Sequence, residues 1–86
     1  MTLNSRTYYV YIAECADGTL YTGYTVNVER RAKAHNDGRG AKYTKPRRPV
    51  TIVYTESFPS KSAAMKREAA IKRLRRQKKL ALIGLE

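Results

Sequence analysis

The chain has 86 residues and a formal net charge of +11 at pH 7, with 18 Lys and Arg against 7 Asp and Glu. A chain of this length supports one core of two layers, so one domain is expected over 1–86, with its core from about residue 8 to 83. A hydrophobic content of 42% argues against a disordered tail. The single cysteine, Cys15, excludes an internal disulfide, and with His35 as the one histidine no zinc site is expected. No apolar run approaches the roughly 20 residues of a membrane span, and residues 1–6 lack the apolar stretch of a secretory signal, so a cytoplasmic protein is expected.

The predicted elements run in a simple order. Residues 8–15, aromatic and β-branched, read as a strand, with Cys15 in the core. Asp17-Gly18 supplies turn chemistry, and residues 20–25 read as the returning strand of a hairpin. Asn27 is a plausible N-cap for a short helix over 28–36, with Val28, Ala32 and His35 near one face. A basic loop follows over 39–49, closed by Pro46 and Pro49. Residues 50–58 form the clearest strand, with Val50, Ile52, Tyr54 and Glu56 expected on one face. Ser60 or Ser62 caps the longest predicted helix, over 60–76, whose apolar stripe is Ala63, Ala64, Ala70, Ile71 and Leu74. Arg67 falls near the middle of that stripe and must snorkel or pair. A last short helix carries Leu80, Leu82 and Ile83 back to the core. The order β-β-α-β-α, with an extra C-terminal helix, predicts an α+β fold: a three-stranded antiparallel sheet flanked by helices.

The charge is uneven. Residues 1–28 hold one basic residue, 29–48 hold eight and 60–86 hold nine. The first segment reads as scaffold, and the other two form an electrostatic surface for a polyanion, nucleic acid first. The inventory excludes much chemistry. One histidine on a helix and one cysteine in a strand do not make a hydrolase triad. The acids Glu14, Asp17, Glu29, Asp37, Glu56, Glu68 and Glu86 are scattered, which argues against a two-metal centre. One metal on one carboxylate remains open. Five tyrosines, Tyr8, Tyr9, Tyr11, Tyr21 and Tyr24, crowd the first hairpin, where cross-strand packing is the plain explanation.

Tyr9-Val10-Tyr11 on the first strand and Tyr21-Thr22-Gly23 on the second resemble the paired motifs of the GIY-YIG endonuclease superfamily. Arg31 follows Gly23 by eight residues and His35 by twelve, where such nucleases carry their arginine and a His or Tyr. Glu68, on the long helix, looks like the family's metal-binding glutamate. The chain is most similar to the small stand-alone bacterial members. It departs from the family with Tyr9 in place of the name-giving glycine and Thr22 in place of isoleucine. Tyr24 stands where some members have lysine. The family's asparagine after the glutamate helix has no counterpart, since the asparagines are Asn4, Asn27 and Asn36.

The resemblance implies hydrolysis of DNA phosphodiesters with one Mg²⁺ or Mn²⁺ held by Glu68. Arg31 would neutralise charge building on the phosphoryl oxygens, His35 would sit beside it, and Tyr11 or Tyr21 would take a proton from the attacking water. A phenol serving as base near pH 7 must be stabilised as phenolate by about 4 kcal/mol, so the rate should rise above neutrality. Tyr24, Lys42, Tyr43, Lys45, Arg47, Arg48 and Lys72 are expected to meet the DNA, and Gly23 to allow close approach of backbone to phosphate or to the first helix. Sequence specificity should be low, with choice by DNA shape and a role in repair by analogy of fold. A monomer is the default, RNA stays open as a partner, and no membrane partner is expected. The competing reading is a nucleic-acid-binding module with weak or no catalysis.

Overall fold

A computed structural model describes residues 6–84 of the chain. Three strands, β1 (Tyr8–Cys15), β2 (Leu20–Thr25) and β3 (Val50–Phe58), form an antiparallel sheet in the order β2-β1-β3. Helices α1 (Val28–Asn36), α2 (Lys61–Lys72) and α3 (Arg76–Ile83) flank it, with a 3₁₀ turn at Lys45–Arg47. The expected α+β architecture and all three strand ranges are met.

β1 lies at the centre with both faces covered. Val10, Tyr11, Ile12 and Ala13 are all fully buried, which is why this strand is continuously apolar instead of alternating. On one face, Val10 and Ile12 pack against Ala64 and Ile71 of α2, with Tyr54, Phe58, Leu74, Leu82 and Ile83 around them. On the other, Tyr11, Ala13 and Cys15 pack with Val50, Ile52 and Tyr21. The expectation that Val50, Ile52, Tyr54 and Glu56 share one face does not hold. β3 pairs Ile52 with Ala13 but Tyr54 with Ile12, so one extra residue is inserted between them. This bulge flips the alternation, leaving Val50 and Ile52 on the Tyr11 face and sending Tyr54 and Glu56 to the α2 face.

Asn27 caps α1 as expected, its side chain accepting from the Arg30 N–H at 2.9 Å, and Ser60 caps α2 by accepting from Ala63 N–H at 3.1 Å. The long helix stops at Lys72, four residues before the predicted end. There Leu74 N–H bonds Ile71 C=O at 3.0 Å, a tight i to i+3 closure. Leu74 packs into the core from the turn, and Arg75 is extended before α3 begins. The break lets Leu82 and Ile83 fold back onto the core that Leu74 joins. A straight helix would carry them away from it. Arg67 pairs as required, its guanidinium forking onto both oxygens of Glu56 at 2.8 and 2.9 Å, with the Tyr54 hydroxyl donating to the same carboxylate.

Asn36 ties α1 to β3. Its amide accepts from Val50 N–H at 2.6 Å and donates to Val50 C=O at 2.9 Å, copying a strand partner at the start of β3. Asn27 and Asn36 are thus engaged in the scaffold, and Asn4 lies outside the described residues.

Candidate active site

The sheet register brings the two tyrosine motifs side by side. Tyr11 pairs with Gly23 and Ala13 with Tyr21, so both phenols project on the α1 face. Their ring centroids are 6.4 Å apart. The close approach expected at Gly23 is made by Tyr11 itself. A Cβ at residue 23 would stand 2.7 Å from the Tyr11 hydroxyl and 2.9 Å from Cζ. The bare α-carbon is the slot in which the phenol lies.

One turn apart on α1, Arg31 and His35 face this pair. The Tyr11 hydroxyl is 2.8 Å from His35 Nε2, and His35 Nδ1 is 2.8 Å from Thr44 Oγ1. Tyr11, His35 and Thr44 are all fully buried. Tyr21 sets its ring edge-on to the imidazole at 5.4 Å. Burial, with the Tyr21 phenol adding to it, pushes the Tyr11 phenol up to about 12 against the opposing pull of Arg31. The lowered phenol needed for a free phenolate near neutrality is therefore not found at Tyr11. Burial, helped by the Arg31 charge, holds the His35 imidazole below its ordinary 6.5, so it is neutral at pH 7.

A cleft of about 470 Å³ opens beside this cluster, along the free edge of β2. Tyr21, Gly23, Thr25 and Arg31 line it from one face, Tyr8 and Tyr24 from the other, and Glu68 and Lys61 of α2 close it, with Arg6 at its rim. Thus Tyr21, Gly23, Tyr24, Arg31 and Glu68 meet in one cleft, while Tyr11 and His35 form the buried layer behind it. Glu68 is 3.5 Å from Lys72 Nζ, the i,i+4 pair that helical spacing allows. Among the described residues no three His, Cys, Asp or Glu side chains gather. A lone, half-buried carboxylate on a cleft wall suits Mg²⁺ or Mn²⁺ held largely through water and substrate oxygens, since Mg²⁺ asks for only one or two carboxylates.

The basic loop over 39–49 divides into two kinds of residue. Tyr43 stacks on Tyr21 at 6.0 Å between centroids and 21° between planes, and the Arg47 guanidinium sits 3.9 Å over Tyr43. Arg47 also donates to Tyr43 C=O at 2.6 Å and pairs with Asp17 at 3.2 Å, while Arg48 donates to Lys45 C=O at 2.8 Å. These two arginines staple the loop. Lys42 and Lys45 are exposed, and no side-chain bond among the described residues engages them. Sequence reasoning missed Thr44, Gly40, Arg6 and Lys61. The first two carry no signal until the loop folds over His35, and the last two are ordinary basic residues until the cleft forms.

The chain matches the GIY-YIG catalytic domain family over residues 7–81. It is 62% identical over 76 residues to a UPF0213 protein of Staphylococcus haemolyticus, covering 88% of this chain and 93% of that protein. It is 61% identical to a UPF0213 protein of Natronomonas pharaonis, covering 92% of this chain and 93% of that protein. The solution structure of a UPF0213 protein from Bacillus halodurans superposes with a TM-score of 0.59 at 52% identity, covering 93% of this chain and 85% of that one. A solution structure of a protein from E. faecalis gives 0.61 at 46% identity, covering 99% and 94%. On the family match over residues 7–81, the identity to these relatives and the shared fold, the chain belongs to the GIY-YIG family, a superfamily of nuclease domains, as one of its UPF0213 members.

Proposed function

We propose that this protein is an endonuclease that hydrolyses DNA phosphodiesters with one divalent cation, Mg²⁺ or Mn²⁺. The observation that carries this reading is the meeting of Tyr21, Arg31 and Glu68, from three separate elements, in one cleft backed by the Tyr11–His35 pair. Arg31 lines the cleft beside Tyr21 and is suited to gripping phosphoryl oxygens as charge builds on them. Glu68 would hold the cation, which when bound polarises the phosphate and eases departure of the leaving oxygen. Tyr11, buried but with its hydroxyl against Gly23 on the cleft wall, would take the proton of a water that enters there. It is the tyrosine with a neutral nitrogen base directly behind its hydroxyl, so it can accept one proton while passing its own to His35 and need never persist as a free phenolate. Tyr21 orients the water or the phosphate from the cleft wall.

The net charge of +11 and the exposed Lys42 and Lys45 beside Tyr43 supply grip on the DNA backbone. Few side chains remain to read base edges, so specificity is low and selection rests on DNA shape, as in repair or processing of branched DNA.

Cleavage of supercoiled plasmid and branched oligonucleotides, with Mg²⁺ or Mn²⁺ against EDTA, tests the reading. The wild type, Glu68→Ala and Arg31→Ala are compared, each also assayed for DNA binding. Metal-dependent nicking lost in both variants with binding kept is expected. Binding without cleavage on every substrate would replace the nuclease by a nucleic-acid-binding module, with RNA tried next.

A further inference from the structure

We infer that Thr44 is a positioning residue that fixes the tautomer of His35, placing the ring proton on Nδ1 so that the Nε2 lone pair faces Tyr11. The inference starts from counting protons in a closed space. Thr44 Oγ1 lies 3.2 Å from Ala41 C=O and donates its one hydrogen there, because the carbonyl oxygen can only accept. Towards His35 Nδ1, 2.8 Å away, the same oxygen can then only accept, so Nδ1 carries the ring hydrogen. A neutral imidazole has one ring hydrogen, so Nε2 is bare and receives the Tyr11 O–H across 2.8 Å.

The other end of the chain agrees. Arg31, near enough to pull on the Tyr11 phenol, has only donors to offer it. If His35 donated from Nε2 as well, the Tyr11 hydrogen would have no acceptor in a fully buried position. The opposite tautomer reverses the Tyr11–His35 bond, leaving the Tyr11 hydrogen without an acceptor, and takes the Thr44 hydrogen from Ala41 C=O, which keeps only the Lys45 N–H; this one does neither. The ring cannot turn away from the arrangement. A Cβ at Gly40 would overlap His35 Nδ1 and stand 2.5 Å from Cγ, so the loop backbone lies against the imidazole. The segment from Gly40 to Thr44 thus clamps the histidine, one end against its ring and the other on Nδ1.

The consequence for the proposed reaction, on which this role rests, is directional. As the water oxygen forms its bond to phosphorus and the P–O bond to the leaving group breaks, the water proton passes to Tyr11 Oη. The Tyr11 proton passes to His35 Nε2. The resulting imidazolium keeps its Nδ1–H on Thr44, then gives the Nε2 proton back to Tyr11, which returns one to water in the cleft, while the leaving oxygen departs with the P–O electron pair and takes one proton from that water. With the ring proton on Nε2 the transfer from Tyr11 to His35 has no acceptor.

The test uses long-range ¹H–¹⁵N correlation spectra of the ¹⁵N-labelled full chain, in which His35 supplies the one histidine signal set. At pH 8 the wild type and Thr44→Ser show a pyrrole-type Nδ1 and a pyridine-type Nε2. Thr44→Val, equal in shape but without the acceptor, shows population of the Nε2–H form. In plasmid nicking, Thr44→Val lowers kcat by roughly 10–100-fold, the usual effect of losing an orienting partner, with KM unchanged and Thr44→Ser restoring it. A wild-type ring with its proton on Nε2 overturns the assignment, as does Thr44→Val with Nδ1–H fully retained. If Thr44→Val does not fold, the wild-type spectrum still decides. A wild type that cuts no DNA but shows these spectra supports the tautomer assignment and removes only the nuclease reading.

Discussion

Tyr11 and Gly23 face each other across the β1–β2 ladder, and the phenol occupies the volume that a side chain at residue 23 would need. The nearest atoms belong to a buried ring whose hydroxyl is held by His35, so it cannot swing aside. Gly23→Ala is therefore expected to destabilise the fold by about 1–3 kcal/mol, the usual cost of overpacking. Equilibrium urea denaturation measures it. Nicking should fall further than stability explains, because the displaced hydroxyl leaves Nε2.

The pH profile follows from neutral His35. The groups facing it are Tyr11 on β1, Tyr21 on β2 and Arg31 on its own helix, with the uncharged Thr44 on the loop. Its pKa is lowered in the fold, so the unfolded chain binds the proton more readily, and stability drops as pH falls from 6.5 through the folded value. Activity should fade over the same acid range as Nε2 becomes occupied. Above neutrality a relay through neutral Tyr11 gives a level rate from pH 7 to 9, and not the rise expected of a lowered phenol. A tenfold gain per pH unit there, with chemistry limiting, would mean that a Tyr11 phenolate is the base that takes the water proton.

Two basic residues of one loop should behave differently. Arg47 is bonded to Tyr43 and Asp17, whereas Lys42 projects into solvent. Arg47→Ala is expected to lower the melting temperature and weaken DNA binding together. Lys42→Ala should weaken binding, reduce its salt dependence by about one counterion and leave stability within ~0.5 kcal/mol. Salt titrations of DNA affinity alongside thermal melts separate the two.

On the opposite side of the sheet, Glu56 receives Arg67 and Tyr54. The Arg67 hydrogen bond holds the Glu56 carboxyl below its ordinary value. Its contribution is complete above pH 4.5 and is lost as pH falls through the lowered value. Glu56→Ala leaves Arg67 half-buried and unpaired and should cost about 1–3 kcal/mol, with nicking per folded molecule unchanged. An equal loss of activity would mean that this network extends to the cleft.

Much of the fold is legible without coordinates. That Arg67 must snorkel or pair is legible, though not its partner Glu56 on β3. The three strands and the Asn27 and Ser60 caps follow from composition and spacing within one element. The bulge after Ile52 and the end of α2 at Lys72 do not. Each settles a conflict between distant parts: the bulge aligns two faces of β3 with different partners, and the break brings Leu82 and Ile83 back beside Leu74.

The same division runs through the site. Tyr11, Tyr21, Arg31, His35 and Glu68 stand out in the chain because their spacing matches a pattern and because phenols, a guanidinium and an isolated carboxylate are chemically distinctive. Sequence alone does not say that Tyr11 and His35 are sealed behind the cleft while Tyr21, Arg31 and Glu68 line it, since burial depends on which faces the helices cover. Nor does it single out Thr44. A threonine in a basic loop has no mark of its own, and its place on Nδ1 exists only because the loop folds back over α1, where Gly40 leaves room for the ring. Residue chemistry and local spacing named the candidate groups. Long-range packing decided their protonation, their order in depth and the direction in which a proton can pass.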